Sequence, residues 1–312
     1  MKYFAKKTVT LIITLFIVSL LVFLAFQVIS DPAAAMLGTS ATPEKIAELR
    51  EELGLNDPFF VRYGRWLAAF VKGDFGVSYA YSIPVRGMVM EKLPLTVGVV
   101  LLSFVLMVAL SFPLGIICGR HEGGVADHII TILGQVGMSV PAFLLGLGLT
   151  YFFGVFIHWF TPGAYVPMRN GFWAWLGCLI FPALAIAIPR TAMTVKMLRA
   201  SVIGEMGKDY VVTSYSRGAG NAIVLRRHVL RNAIIPVITF IASSMSEIVA
   251  NCILVEQVFA LPGIGVLLLS SIGNRDFPVV QTLVVFLAVW VVVINFIADV
   301  LYQLVDPRIR LG

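Results

Sequence analysis

Residues that could do chemistry are few in this sequence, and they do not form a catalytic or metal-binding set. The cysteines fall inside apolar runs and the histidines are scattered over loops and the ends of such runs, so no pair has the spacing of metal ligands. These residues are Cys118, Cys178, Cys252, His121, His128, His158 and His228. No nucleophile is accompanied by a base and an orienting group, which disfavours an intramembrane hydrolase. We therefore predict no catalytic residue, metal site or cofactor in this chain.

Nucleotide hydrolysis would need a phosphate-binding loop of the form G-x-x-x-x-G-K-[ST]. The nearest approach is Gly207 followed by Lys208, and the distal glycine and the following Ser or Thr are missing. We expect that the chain does not hydrolyse ATP by itself and is not an enzyme.

A group of polar residues interrupts one of the long apolar runs. Glu247 and Asn251 are four residues apart, so they share one face of a helix. Three serines lie close by: Ser243, Ser244 and Ser246. Buried polar groups are costly in lipid and are the default candidates for a transport path, where a carboxylate could attract a cationic or ammonium-bearing substrate. The alternative is that Glu247 hydrogen-bonds a neighbouring helix and never meets a substrate.

Further polar residues lie closer to the ends of the apolar runs. Glu256, followed by the proline-glycine segment 262–265, could shape a gate or a re-entrant turn, and it is also a candidate for the path. Asn295 and Asp299 repeat the four-residue spacing, and for them we predict a packing or capping role.

The elements that must hold these residues are membrane-spanning helices. Apolar residues make up 59% of the 312 residues and charged residues 13%, whereas soluble domains have about 45–50% apolar residues. The mean hydropathy is +0.94. At roughly 20 residues per span, the apolar runs predict six helices at 8–29, 94–119, within 128–158, 173–196, 234–258 and within 278–305. This composition excludes a soluble globular enzyme.

The first apolar run could belong to a secretory signal peptide or to an uncleaved helix. It covers 8–29, which is longer than the roughly 7–15 apolar residues of a signal peptide, so we predict an uncleaved helix. The chain then divides into a tail and first helix at 1–30, a water-facing insertion at 31–93 with a helix at 42–53, and a five-helix core at 94–312. A polar loop at 204–236 lies within this core.

The distribution of lysine and arginine predicts the orientation in the membrane. The amino terminus, residues 120–127 and 190–232 and the carboxyl tail together hold 14 of the 23 basic residues. Seven of the other nine lie in the insertion, which is too long to count strongly in the positive-inside rule. Both termini and the loop 204–236 are therefore predicted to be cytoplasmic, and the insertion extracytoplasmic.

The loop 204–236 is too polar to cross the membrane. We predict that it breaks at Gly218 and Gly220 and restarts at Asn221 as a basic amphipathic helix. Its apolar face would hold Ile223, Val224, Val229 and Leu230, and its basic face Arg226, Arg227 and Arg231. Such a helix suits the surface of anionic lipid or the groove of a protein partner. Periodicity alone leaves both alternatives open.

Small residues and prolines mark further features of the spans. Gly115 and Gly119 form a GxxxG spacing, and Gly146 with Gly148 leaves a similarly smooth surface, so close helix contacts are expected at both places. Helix kinks are expected at the prolines within the spans, Pro113, Pro141, Pro182 and Pro189. The sequence has no pair of matched halves of the kind that builds a whole transport path from one chain. Six helices without an internal counterpart predict half of a dimeric pore.

The loop 204–236 resembles the EAA loop in permease subunits of bacterial ABC importers, specifically the peptide, opine and nickel group. It shares with that loop a helix, a glycine turn, a second helix and a final proline. The matching residues are Asp209, Tyr210, Thr213, Gly218, His228, Arg231, Asn232 and Pro236. Val212, Thr213 and Ser214 stand where the general pattern has Glu, Ala and Ala, and 218–236 is longer than in sugar importers. Both departures are common in the peptide and nickel group.

Other segments are similar to the same family, so the resemblance covers nearly the whole chain. They are LGLNDPFFVRYGRWL at 53–67, GDFGVSY at 73–79, VEQVFALPGIG at 255–265, NRDFPVVQ at 274–281 and DPRIR at 306–310. The insertion is similar to that of the first of the two permease subunits in such importers.

The resemblance implies an all-α polytopic protein with the type I ABC importer permease fold, in the bacterial cytoplasmic (inner) membrane. It implies four kinds of partner: a second homologous permease, two ATP-binding subunits that carry ATP and Mg, an extracytoplasmic solute-binding protein, and the lipid bilayer. Nucleic acid is not among them. Residues implied in coupling to the ATPase are Asp209, Tyr210, Thr213, Ser214, Arg217, Gly218, Arg231, Asn232 and Pro236.

The expected cargo of such a subunit is a di- or oligopeptide delivered by the solute-binding protein. The same machinery importing nickel or another metal chelate is the alternative. A stand-alone transporter driven by an ion gradient is a more remote alternative, because it predicts internal repeats or acidic relays and leaves the basic cytoplasmic helices without a purpose.

Overall fold

The computed structural model describes residues 2–29, 33, 37, 42–52 and 54–305. Within these ranges the protein is helical, and the extended pairing consists of one isolated bridge between Val77 and Pro84. The motif at 306–310 and the side chain of Asp299 lie outside the described residues. The helices are α1 (Lys2–Ile29), α2 (Pro43–Glu52), α3 (Phe59–Val71), α4 (Val85–Arg120), α5 (Val125–Ser139), α6 (Ala142–Phe156), α7 (Phe172–Met206), α8 (Asp209–Ser216), α9 (Asn221–Val258), α10 (Ile264–Gly273) and α11 (Phe277–Val305).

Five helices in the described part of the chain are long and apolar enough to cross a membrane. They are α1 over Lys7–Gln27, α4, α7, α9, and α11 over Phe277–Ala298. Helices α5 and α6 meet this test only as a pair, bent by 102°, which makes them a broken sixth span or a re-entrant loop. The predicted all-α polytopic fold is confirmed.

The third predicted span bends at Pro141, as the sequence predicts, and the bend of 102° divides it into two helices. Val140 has the extended conformation, φ −98° and ψ 123°, that a following proline favours. Pro141 itself has no N–H to continue the helical ladder. By contrast, Pro113 lies within the continuous helix α4, and Pro182 and Pro189 lie within α7.

The second span begins earlier than predicted, at Val85 rather than at residue 94. A helix of 36 residues is about 54 Å long, whereas the hydrocarbon layer is about 30 Å thick. The first turns of α4 hold Arg86, Glu91 and Lys92, which form helix readily in water. The charged residues therefore predict where α4 enters the apolar layer, but the helix itself already begins before that point.

By internal packing the chain divides into two compact units, one made of Met1–Pro94 with Pro262–Val293 and one made of Leu95–Leu261 with Ile294–Gly312. In the first unit, helix α3 of the insertion packs its aromatic face on α1. The Tyr63 hydroxyl is 2.7 Å from Ser19 Oγ, and the ring centroids of Phe23 and Trp66 are 5.4 Å apart. Such aromatic pairs add about 0.5–1.5 kcal/mol each beyond the area that they bury.

A buried carboxylate fixes the end of the insertion within the same unit. Asp276 is fully buried, and its two oxygens accept hydrogen bonds from Ser78 Oγ at 2.5 Å and from the Tyr79 N–H at 3.0 Å. Because a buried anion is tolerated only when it is well hydrogen-bonded, this contact holds the GDFGVSY and NRDFPVVQ segments together.

In the second unit, α4 and α7 touch through the predicted GxxxG spacing. A Cβ atom placed on Gly115 would come within 2.8 Å of the Leu198 side chain, and one on Gly119 within 2.6 Å of Val202. The close contact predicted for this glycine pair is confirmed. Of the second pair, Gly146 is close, because its Cβ would be 3.1 Å from the Phe259 ring, but Gly148 has open space around it.

Candidate functional site

The short helix α8 is hydrogen-bonded to the two long helices on either side of it in the chain. The Tyr210 hydroxyl donates to Glu205 Oε2 near the end of α7, at 2.5 Å, and accepts from Asn232 Nδ2 of α9, at 3.2 Å. Burial, and then the Glu205 carboxylate, raise the pKa of the Tyr210 phenol. The phenol therefore keeps its proton at physiological pH and remains a donor to Glu205. The Tyr210 hydroxyl thus links α8 to both α7 and α9.

Helix α8 has one face turned inward and one face turned to solvent. Val211 is buried at the base of the helix, and Lys208 Nζ lies 2.5 Å from Glu205 Oε1 at its start. On the other side, Val212 is 61% exposed and the Thr213 side chain is exposed too. Thr213 Oγ1 donates to the Asp209 carbonyl at 2.9 Å. The outer face of α8 is thus a small, partly apolar surface without a partner in the described part of this chain.

The predicted break at Gly218 is confirmed. Gly218 has φ +79°, a left-handed conformation that glycine adopts without steric cost. Its N–H donates to the Tyr215 carbonyl at 2.9 Å, which closes the end of α8. Gly220 has φ −74°, so it is the extended residue before α9 and does not require glycine. Arg217 and Ser216 are exposed beside this turn, and Ser214 is half-buried.

The start of α9 differs from the predicted amphipathic helix by one turn of π-helix, Val224–Val229. Val224 and Val229 are buried as expected, but Leu225 is buried and Ile223 is 56% exposed. The π-turn is wider than an α-turn and holds an extra residue, so the 3.6-residue periodicity used for the prediction does not apply across it. Arg226, Arg227 and Arg231 are exposed, in agreement with the predicted basic face.

Beyond this turn, α9 presents a continuous exposed stripe that is unusually polar for a membrane span. The stripe consists of Asn232, Pro236, Thr239, Ser243, Glu247, Ala250, Leu254 and Gln257. These residues are three or four apart, which places them on one face of the helix. Ser244 belongs to the opposite, buried face, and Asn251 lies at the edge of the stripe with its Nδ2 donating to the Glu247 carbonyl at 2.8 Å.

The carboxylate at the centre of the stripe forms an ion pair within the chain. Glu247 Oε2 contacts Arg190 Nη1 of α7, and the two side chains are 55% and 16% exposed. Glu247 therefore does bond a neighbouring helix, as the alternative interpretation required, while more than half of its side chain remains accessible. Arg190 is not among the predicted site residues, although an arginine inside a predicted span is itself a sign of an acidic partner.

The remaining polar candidates of the spans are engaged within the second unit. Ser246 Oγ donates to Asn295 Oδ1 at 2.9 Å, which confirms a packing role for Asn295. Glu256 is fully buried, and its Oε1 accepts from Thr96 Oγ1 at 2.5 Å and from Cys252 Sγ at 3.6 Å. Glu256 is covered by its own chain and does not belong to the exposed stripe. This burial disagrees with the prediction that Glu256 is a candidate for the transport path.

The comparison with known proteins identifies the family. Residues 111–311 match the family model described as the binding-protein-dependent transport system inner membrane component. This chain belongs to that family. Residues 1–101 match a second model, for the N-terminal part of the membrane component of the same transport systems.

Three relatives align with this inner membrane component over 99% of both chains. One is the "Probable peptide ABC transporter permease protein y4tP" of Sinorhizobium fredii, 33% identical over 309 residues. Another is the oligopeptide transport system permease protein AppB of Bacillus subtilis, 33% identical over 312 residues. The third is the glutathione transport system permease protein GsiC of Shigella flexneri, also 33% identical over 312 residues.

One further contact, between residues that were not predicted to form a site, positions the helices of this inner membrane component. Asp127, buried at the start of α5, accepts from Arg199 Nε at 2.6 Å and Nη2 at 2.8 Å. The Gly123 N–H also donates to Asp127, at 2.9 Å. This two-point geometry is the strongest form of the arginine–carboxylate pair, and it ties the loop between α4 and α5 to α7, one turn and a half before Glu205.

Proposed function

We propose that this protein is the permease subunit of an ATP-driven ABC importer and forms half of the translocation pathway for di- or oligopeptides. Similarity to peptide permeases over 99% of both chains carries the proposal. The names of these relatives refer to peptides and glutathione, which favours peptides over a nickel or other metal chelate as the cargo. The proposed position of the chain is that of the first of the two permeases, and the resemblance of its insertion supports this.

The proposed assembly contains a second homologous permease, two ATP-binding subunits that carry ATP and Mg, and an extracytoplasmic solute-binding protein. Two exposed surfaces support it. The polar stripe of α9 is poorly suited to lipid, because polar side chains within the bilayer almost always face a protein interior or a water-filled cavity. A second permease facing the stripe would provide that environment. The outer face of α8 offers the second surface, for an ATP-binding subunit.

Coupling in this proposal runs through α8. An ATPase cleft that closes on Val212, Thr213 and the Gly218 turn would displace α8. The Tyr210 hydroxyl would pass that displacement to Glu205 in α7 and to Asn232 in α9. Because Asn232 begins the polar stripe, the same helix would carry the motion to the pathway. A rigid helix with a glycine turn at its end is a suitable element for such a two-state motion.

The Arg190–Glu247 pair gives the proposed pathway its charge character. A free peptide carries an ammonium group at one end and a carboxylate at the other, and both kinds of group find an opposite charge at this pair. The pair has no net charge, so the pathway would pass neutral peptides without a large electrostatic barrier.

The proposed orientation puts α8 on the side of the membrane where the ATP-binding subunits lie. The basic residues indicate that both termini are cytoplasmic, and α8 would then be cytoplasmic too.

The experiment that tests the proposal is purification of the tagged chain from its native membrane in mild detergent, followed by mass spectrometry of the copurifying proteins. We expect a second permease and two ATP-binding subunits. ATP-dependent uptake of peptides by the reconstituted complex, in the presence of its binding protein, would complete the result. A chain that transports alone as a homodimer would overturn both the ATP dependence and the assembly.

We expect Glu247→Gln to lower the uptake of a cationic peptide by about tenfold relative to a neutral peptide of the same length. The substitution leaves the positive charge of Arg190 without its partner, and a like charge close to the path costs about 1.4 kcal/mol or more. Initial uptake rates into proteoliposomes would measure the ratio. Ser243→Ala, on the same stripe without a change of charge, is the matched control. Equal loss for both peptides would show that Glu247 acts in packing.

A further inference from the structure

The first unit contains a half-open cavity of about 470 Å³ that no part of the proposed import mechanism uses. Its walls come from the last turns of α1, from helix α3, from the loop after α3 and from the first turn of α11. Six of the fourteen lining residues are aromatic: Phe23, Phe26, Trp66, Phe75, Tyr79 and Phe277. The volume lies in the range of about 300–1,000 Å³ that small-molecule sites occupy.

Two glutamine side chains in this cavity have unsatisfied hydrogen-bond donors. The Nε2 atoms of Gln27 and Gln281 are buried from solvent and have no hydrogen-bond partner among the residues that the structure describes. An unsatisfied buried donor carries an unfavourable free energy, so a group that supplies acceptor oxygens would stabilise the site. Gln27 lies in the last turns of one membrane helix and Gln281 in the second turn of another, so both are placed near the level of the lipid head groups.

The charged groups of the cavity are one cation and one anion. Arg62 is half-buried, and its Nη1 donates to the Leu55 carbonyl at 3.1 Å, which fixes the guanidinium at the wall and leaves its other N–H groups as donors. Asp74 lies at the exposed side and accepts from the Gly76 N–H with Oδ1, at 3.0 Å, which leaves Oδ2 as an acceptor. Since these two charges sum to zero, the site suits a zwitterion better than an anion.

We propose that this cavity binds one glycerophospholipid with an ammonium head group, of the phosphatidylethanolamine class. Its phosphate and ester oxygens would accept from Gln27, Gln281 and Arg62, and its ammonium group would donate to Asp74. The aromatic walls suit the glycerol region and the first methylenes of the acyl chains, because aromatic rings favour the boundary between lipid and water. The bound lipid would act as a structural ligand that joins α1 and α3 to the start of α11.

The proposal is tested with the full chain in its native complex, placed in nanodiscs of phosphatidylethanolamine and phosphatidylglycerol and then extracted for native mass spectrometry. We expect the wild-type complex to retain phosphatidylethanolamine. The double variant Gln27→Met with Gln281→Met keeps the side-chain length and removes both donors. Its affinity for that lipid should be lower than that of the wild type by about tenfold or more. Gln135→Met, at an exposed position on α5, should retain lipid as the wild type does.

Thermal unfolding provides a second measurement that does not depend on transport. Adding phosphatidylethanolamine to the delipidated complex should raise the unfolding temperature of the wild type and of Gln135→Met, and should leave that of the double variant nearly unchanged. Equal lipid retention by all three proteins would overturn the proposal. Preferential retention of phosphatidylglycerol, or a wild-type cavity that holds only water, would also overturn the proposal. None of these outcomes depends on which substrate the importer carries.

Discussion

Tyr210→Phe should uncouple ATP hydrolysis from uptake in the reconstituted importer. The substitution keeps the aromatic ring and removes the hydroxyl that bonds Glu205 and Asn232. Hydrogen bonds to a charged group contribute about 1.5–3 kcal/mol, so the link from α8 to the two long helices would weaken by a comparable amount. We expect the number of peptides transported per ATP to fall by about tenfold or more, while the complex still assembles and hydrolyses ATP.

Tyr151→Phe is the control, because Tyr151 lies on α6 rather than α8 and has an exposed side chain. It should transport as the wild type does. Parallel measurement of phosphate release and peptide uptake in the same proteoliposomes separates the two activities. If Tyr210→Phe lowered both activities by the same factor, the hydroxyl would serve assembly, and the proposed coupling route through α8 would be wrong.

Arg199→Leu should destabilise the folded protein by about 3–5 kcal/mol, because it leaves the buried Asp127 carboxylate without its partner. The Gly123 N–H and the Thr131 hydroxyl would still donate to it. The expected results are a lower amount of the chain in the membrane and a lower unfolding temperature in detergent. Arg226→Leu, at an exposed position on α9, should change neither.

The double variant Asp127→Leu with Arg199→Leu should recover much of the stability lost in Arg199→Leu. Replacing both members of a buried ion pair by apolar residues of similar volume is often neutral or stabilising. Unfolding temperatures of the wild type, the two single variants and the double variant form a complete cycle that isolates the pair. A double variant as unstable as Arg199→Leu would show that the arginine stabilises the protein mainly through other contacts.

Sequence reasoning predicts those features of this molecule that depend on residues close together in the chain. The apolar runs, the break at Gly218 and the glycine contact of α4 follow from composition and from local spacing. The Asp127–Arg199 and Arg190–Glu247 pairs do not, because each joins two helices whose relative rotation and depth are set by packing. An arginine inside a span predicts that an acidic partner exists, but it does not identify the partner.

Two local predictions are limited by backbone geometry. The predicted kink at Pro141 is present, but at 102° it separates two helices, since Val140 takes up the extended conformation as well. Ile223 was expected on the buried face, yet the π-turn after it changes the periodicity of the helix. Neither the size of a bend at a proline nor the presence of a π-turn follows from hydropathy.

The π-turn of α9 also fixes the angular relation between the surface proposed to meet the ATPase and the stripe proposed to meet the substrate. Each residue of an α-helix advances the direction of the side chains by about 100°. Deleting one residue within Val224–Val229 would convert the wide turn into regular α-helix and rotate everything before it by about that angle. The stripe would keep its place among the spans, while Gly218 and α8 would point in another direction. The length of this turn is therefore under tighter constraint than the identity of its exposed arginines.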